Sequence, residues 1–501
     1  MADLAENGSG ALATTGISGL DHILRGGFTQ DRLYLVEGVP GSGKTTLALQ
    51  FLLEGTRRGE TVLYVTLSET AEELRAVAAS HGWSLDGISI HEVIPSEEIL
   101  KADEQYTLFH SSEVELNQAT ETILSEVQRI KPSRVVFDSL SEVRLLAGTA
   151  LRYRRQIMAL KRYFAHCACT VLMLDDKTGT DRDLQVQSIA HGVILLDQMN
   201  QEYGAERRRL MVVKYRGVAF RGGYHDYAIR RGGLEVFPRV VAGEHRKNFT
   251  GGKLASGIDE LDGLLGGGID RGTSTLLSGP PGTGKSSLAA QFVGAAAAAG
   301  NNAAMFIFDE SVRTLVMRSA SLGLNLQEHI DAGRVTVQQI DPAELSPGEL
   351  VQAVRKSTEE DNAAIVVIDS LNGYLNAMPE EKFLVTQLHE VLSYLGQSGV
   401  ATVLIAGYHG VIGAQLSSPV DVSYLVDSVI LLRFFEAFGE VRQAISIVKK
   451  RGSNHERTLR EFRLEPGGIR VGEPLRDFRG VLTGVPVFDG GSVPLMAKQK
   501  P

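Results

Sequence analysis

Short, almost unbroken apolar runs alternate along this chain with longer segments of helical spacing. LYLVEG, TVLYVTL, RVVFDSL, CTVLMLD and GVILLDQ are of the first kind. Strands covered on both faces read this way, because neither side chain direction meets water. TTLALQFLLEGTRRG and AEELRAVAASHG are of the second kind, with apolar positions recurring every three or four residues. The alternation predicts an α/β fold with a largely parallel central sheet. Gly82 and Gly323, in HGW and LGL, are expected to cap the second helix of each half.

The pattern is written twice. TGISGLDHILRGGF starts at Thr15 and SGIDELDGLLGGGI at Ser256, each followed by a short apolar strand and a glycine-rich loop. Gly38 and Gly279, Lys44 and Lys285, and Glu69 and Glu310 are each separated by 241 positions. Asp138 and Asp369 are 231 apart, and Lys214 and Lys449 235 apart, so small loop deletions account for the drift. We therefore expect a short disordered lead (1–13), two homologous lobes (14–246 and 247–485) and a brief tail (486–501).

Composition narrows the classes. The 501 residues are 43% hydrophobic and 22% charged, enough for a large core in each lobe. With 60 acidic against 51 basic residues the net charge is −9. That argues against non-specific nucleic-acid binding, which draws its affinity from Lys and Arg on phosphates. Cys167 and Cys169 sit in AHCACTVLML, read as two small apolar residues in a buried strand, and a reducing, cytoplasmic compartment follows. No run reaches about 18 uninterrupted apolar residues, so no membrane span is expected. The N-terminal MADLAENGSGALATTG lacks the basic start and apolar core of a signal peptide.

The candidate chemistry lies in the loops. GVPGSGKTT and GPPGTGKSS both fit G-x-x-x-x-G-K-[ST]. Gly38, Gly41, Ser42, Gly43, Lys44, Thr45 and Thr46 form the first, and Gly279, Gly282, Thr283, Gly284, Lys285, Ser286 and Ser287 the second. Glycines let the backbone curl so that N–H groups face β- and γ-phosphates, the lysine neutralises phosphate oxygens, and Thr45 or Ser286 offers a hydroxyl to Mg²⁺. RVVFD and IVVID put Asp138 and Asp369 at strand tips, where a carboxylate holds Mg²⁺ through water or merely caps a turn. Glu69 in VTLSET and Glu310 in IFDES are candidates to orient attacking water; the bland alternative is a charge in the first turn of the next helix. K-x-R-G recurs as Lys214/Arg216 and Lys449/Arg451. These are either charges on an edge strand or cations reaching the nucleotide of a neighbouring subunit.

The tandem lobes, with T-G-[IL]-x-x-L-D ahead of the first phosphate loop and the same pattern opened by Ser256 ahead of the second, together with GWSL at Gly82 and RGSNH at Arg451, resemble the KaiC family of circadian-clock ATPases from about Thr15 to Pro486. The resemblance implies two tandem RecA-like P-loop NTPase domains and ATP with Mg²⁺ at subunit interfaces of a two-tiered homohexamer. It also implies a slow ATPase in the first lobe and autokinase and autophosphatase activity in the second. The family's adjacent glutamates become Ser68 and Glu69 in the first lobe, and Asp309 and Glu310 in the second. Its trans-acting Lys, Arg and His match Lys449, Arg451 and His455; in the first lobe Lys214 and Arg216 match, but the histidine is Phe220. The phosphorylated pair falls on Ser423 and Tyr424 in DVSYLVDSVILL, with Val426 where the family has another threonine. Ser423 is the expected acceptor, whereas the oxygen of Tyr424 lies farther from the backbone. FRGVLTGVPVF at Phe478 resembles the kinase-regulating loop, and the activator-recruiting segment beyond it looks mostly absent. A tie to stress or signalling, with a signalling-protein partner, is expected. Two rivals stand beside this reading: a nucleotide-switched scaffold with negligible kinase activity, and a DNA-dependent ATPase, which single-stranded DNA would stimulate.

Overall fold

The computed structural model describes residues 11–93, 111–176, 184–200, 203–376, 383–408, 422–482 and 486–488. The chain divides into two compact units, residues 1–239 and 240–501. Each is built on a nine-stranded sheet.

In the first unit the strands are β1 (Leu33–Gly38), β2 (Val62–Thr66), β3 (Ile88–Glu92), β4 (Arg134–Asp138), β5 (Thr170–Asp176), β6 (Gly192–Met199), β7 (Arg207–Tyr215), β8 (Tyr224–Arg230) and β9 (Gly233–Phe237). Their spatial order is β3-β2-β4-β5-β1-β6-β7-β8-β9. The first six are parallel and the last three add on antiparallel. The second unit repeats the order with β10 (Ser274–Gly279), β11 (Asn302–Ile307), β12 (Val335–Gln339), β13 (Ala363–Asp369), β14 (Ala401–Gly407), β15 (Ser428–Ala437), β16 (Glu440–Lys450), β17 (Arg460–Glu465) and β18 (Gly468–Pro474). These are the two tandem RecA-like domains expected from the sequence.

The apolar runs are explained by the two faces of each sheet. Tyr34 and Val36 of β1 enter one core with the helix Lys44–Arg57, while Leu33 and Leu35 enter the other with the helix Ala150–His166. β2 splits likewise, Val62 and Tyr64 against Leu63 and Val65. The second unit has the same pair of cores. Alternation at period two is hidden when both sides are dry.

Helix ends follow local chemistry. Thr70 accepts from the N–H of Glu73, and Glu73 returns a bond to Thr70, a capping box opening Ala71–Ser80. Gly82, at φ +77°, closes that helix, with the N–H of Trp83 on Ala78 O. One sequence expectation fails. Cys167 is the exposed residue that ends the helix Ala150–His166, and the strand begins only at Thr170; Cys169 alone is buried. The apolar run overreached because the C-terminal turn of an amphipathic helix abuts the strand directly. In the tail, Phe478–Arg479 pairs with Val487–Phe488. The rest of the expected regulatory loop, 483–485, and the remainder of the tail, 489–501, lie outside the described residues.

Candidate nucleotide site

In each unit the loop leaves the tip of β1 or β10, a strand with parallel neighbours on both sides, and opens a helix at Lys44 or Lys285. Gly43 and Gly284 precede those helices at φ +91° and +93°, a conformation that L side chains rarely adopt. A Cβ on Gly43 would also come within 2.6 Å of Ile229 Cδ1. Lys44 Nζ donates to the carbonyls of Gly38 and Val39 at 3.0 and 3.1 Å, and Lys285 Nζ to those of Gly279 and Pro280 at 2.9 and 2.8 Å. Both lysines are thus folded onto a loop whose curl they brace. Burial pushes the Lys285 ammonium down to about 8, with Asp369 opposing the shift. A buried cation of this kind is suited to an anion.

Asp138 and Asp369 end β4 and β13, and the neighbouring hydroxyls of Thr45 and Ser286 favour their charged forms. Burial raises both carboxyls. Asp369 is pushed up to about 6, held back by Ser286 and pushed further by Glu310. Asp138 Oδ2 accepts from Tyr64 at 2.5 Å, whereas Asp369 Oδ2 makes no hydrogen bond among the described residues. Among those residues no group of three or more His, Cys, Asp or Glu is arranged to hold a metal. A hydroxyl and a carboxylate beside a phosphate loop do suit Mg²⁺, which takes one or two protein oxygens and fills its octahedron from substrate phosphates and water. The orphaned oxygen of Asp369 fits that use.

Glu69 and Glu310 lie ahead of the helix N-caps Thr70 and Ser311, so neither is a first-turn helix charge. Their surroundings differ. Glu69 is half-buried, its Oε2 makes no hydrogen bond among the described residues, and burial together with Asp138 raises its carboxyl. Glu310 is gripped by both guanidinium nitrogens of Arg318, at 2.5 and 2.7 Å. Asp309 accepts from Ser370 at 2.5 Å.

The K-x-R-G pairs are not on edge strands. β7 lies between β6 and β8, and β16 between β15 and β17. Lys214 is level with Val193, and Lys449 with Val429, toward the ends of the sheets away from the loops. Lys214 Nζ donates to Gln187 O (2.5 Å) and Arg216 to Ser188 O (2.6 Å). Lys449 Nζ donates to Ser423 O and Val426 O, both at 2.7 Å, and Arg451 to Tyr424 O at 3.2 Å. In the second unit this pair therefore braces the segment that carries Ser423 and Tyr424. Ser423 is half-buried and Tyr424 exposed. Phe220 packs on the first core, and His455 is half-buried just beyond Arg451.

Several residues around the loops escaped the sequence reading. Asp175 and Asp176 end β5, which intervenes between the phosphate-loop strand and the strand of Asp138. Asp176 Oδ1 is 2.8 Å from Lys44 Nζ, and Asp175 pairs with Arg144 at 2.5 Å. Burial raises the Asp175 carboxyl to about 6 against the pull of Arg144. An apolar run ending in acid, TVLMLDD, carried the same signal as RVVFD.

A family model described as "ATPase: KaiC" matches residues 13–241 and 254–476. Among curated proteins, the circadian clock protein KaiC3 of Synechocystis sp. is 26% identical over 95% of this chain and 95% of its own length. The circadian clock oscillator protein KaiC of Parathermosynechococcus lividus is 26% identical over 97% of this chain and 90% of its length. That of Synechococcus elongatus is 26% identical over 94% and 91%. No helix among the described residues is long and apolar enough to cross a membrane. With the family model covering both sheets and both phosphate loops, the chain belongs to the KaiC family of ATPases.

Proposed function

We propose that this chain is an ATP-hydrolysing ring protein in which each nucleotide is held by the phosphate loop of one subunit and completed by the K-x-R-G pair of the next. One observation carries the reading. In both units the pair lies at the end of the sheet opposite its own loop. β15 begins level with Thr275, four residues below Gly279, which is about 13 Å at the usual rise. Ser423 lies five residues farther back. Neither the cations nor Ser423 can meet the nucleotide of their own unit, but a head-to-tail ring brings that end of one subunit to the loop of its neighbour.

In this reading Lys44 and Lys285 turn from loop carbonyls to phosphate oxygens. Thr45 with Asp138, and Ser286 with Asp369, would hold Mg²⁺, which draws charge from the β- and γ-phosphates. Glu69, with its raised carboxyl and an oxygen that makes no hydrogen bond among the described residues, orients and deprotonates water in the first unit. In the second unit Asp309 and Glu310 serve phosphoryl transfer to Ser423 of the neighbouring subunit, and the assembly is the homohexamer implied by the resemblance. The clock role printed for the relatives is carried here only as far as a signalling output of the ring. The grip of Arg318 on Glu310 favours a second reading, a nucleotide-switched scaffold with negligible kinase activity.

Intact-mass measurement under native conditions, with and without Mg·ATP, tests the proposal. A six-subunit ion carrying up to twelve nucleotides, with a phosphate on the Ser423 peptide, is expected. A chain that stays monomeric yet hydrolyses ATP at full rate overturns it. A nucleotide-bound ring without phosphate selects the scaffold.

A further inference from the structure

The two phosphate-loop lysines do not face the same charge. In the first unit Asp176 is level with Gly38; in the second, Gly407 is level with Gly279. One strand tip thus carries a carboxylate where the other carries no side chain. The neighbours changed in concert. Ser141 accepts from the N–H of Asp176 at 3.3 Å and donates to its Oδ2 at 3.1 Å, which turns Oδ1 to Lys44 at 2.8 Å. At the matching place Asn372 donates to Gly407 O at 2.9 Å and accepts from its N–H at 3.0 Å. It steadies the same tip without a charge. Arg144, which neutralises Asp175, is matched by Leu375.

An ammonium has three protons to donate. Lys44 directs them at Gly38 O, Val39 O and Asp176, so its complement is filled. Among the described residues Lys285 spends only two, on Gly279 O and Pro280 O. A phosphate arriving at Lys44 must displace or share with a carboxylate that Ser141 keeps aimed at the same ammonium. The repulsion falls hardest on a triphosphate, because this lysine reaches the β- and γ-phosphates and a diphosphate lacks the latter.

We propose that Asp176 is a specificity-determining residue that competes with the γ-phosphate for Lys44 and biases the first site toward diphosphate relative to the second. This rests on the nucleotide-site reading above and adds that the two sites of one chain differ in nucleotide preference. The asymmetry is transplantable, since among the described residues a Cβ on Gly407 would meet only Asn372 Nδ2, at 3.8 Å.

The test is calorimetric titration of the full-length chain with Mg²⁺ and either ADP or the non-hydrolysable analogue adenylyl imidodiphosphate. Asp176→Asn, which keeps the shape and the Ser141 contacts, is expected to tighten the analogue at one of two sites per chain on the order of ten-fold, with ADP affected far less. Gly407→Asp is expected to weaken the analogue selectively at the other site. Equal effects on both nucleotides, or unchanged or weaker analogue binding in Asp176→Asn, overturn the inference. So does a Gly407→Asp chain whose two sites keep their wild-type preferences. A wild-type chain that binds neither nucleotide overturns the nucleotide-site reading itself, which separates the two failures.

Discussion

Replacing Arg318 by valine, the residue that stands at the matching position in the first unit (Val77), should turn the second site into a faster ATPase. Arg318 holds both oxygens of Glu310, at 2.5 and 2.7 Å, with side-chain exposures of 31% and 17%. A hydrogen bond between charged groups contributes about 1.5–3 kcal/mol, and a bidentate fork must give up at least one to let the carboxylate accept a proton from water. Taking the lower half of that range for a pair partly open to solvent, about 1.5–2 kcal/mol stands between the resting and working positions of Glu310. At 1.36 kcal/mol per decade, freeing it is worth roughly ten- to thirty-fold in the hydrolytic step. Single-turnover release of phosphate from γ-labelled ATP, in chains carrying Lys44→Ala to silence the first site, reads that step directly. If the rate falls while ATP binding is intact, Arg318 assists the transition state instead of restraining Glu310. If it does not change, the fork does not hold Glu310 back in the bound state. Either result refutes the argument.

Further outcomes follow from other contacts. Lys44→Ala and Lys285→Ala should each remove one of two nucleotides bound per chain, as counted by equilibrium dialysis. Asp21 is raised to about 6 from 3.8 by burial, against the N–H of Thr15 at 2.8 Å. The folded unit therefore holds a proton that the unfolded chain has lost, and stability falls as pH rises from about 4 to 6, by roughly 3 kcal/mol in all. Denaturant midpoints of Asp21→Asn should lose that slope. Arg134, 1% exposed, bonds Glu60 twice and the carbonyls of Thr14 and Phe51. Arg134→Met leaves those acceptors unmatched, and thermal unfolding of the first unit should show a loss of about 3 kcal/mol.

Much of the site was legible because its chemistry is local. A glycine loop between a strand and a helix, or an aspartate at the end of RVVFD, needs only neighbours in sequence. What escaped depends on which strands lie side by side. Asp176 matters because β5 falls between β1 and β4, and strand order is not written in a periodicity. Tyr64 and Arg318 reach their carboxylates across elements, Tyr64 over 74 positions. The same limit hid the placement of the K-x-R-G pairs. The sequence left open whether they sat on an edge strand, and only the antiparallel extension past β6 and β15 shows that they do not. Cys167 was misassigned for the opposite reason, a local run read across a helix end.

Subunit mixing tests the shared-seam account most directly. One population carries Lys285→Ala and the other Lys449→Ala with Arg451→Ala, and each alone should lack second-site turnover. In randomly mixed rings about one seam in four joins an intact loop to an intact cation pair, so about a quarter of the lost activity should return. Mixed rings that form but recover nothing would show that loop and cation pair do not meet across a seam.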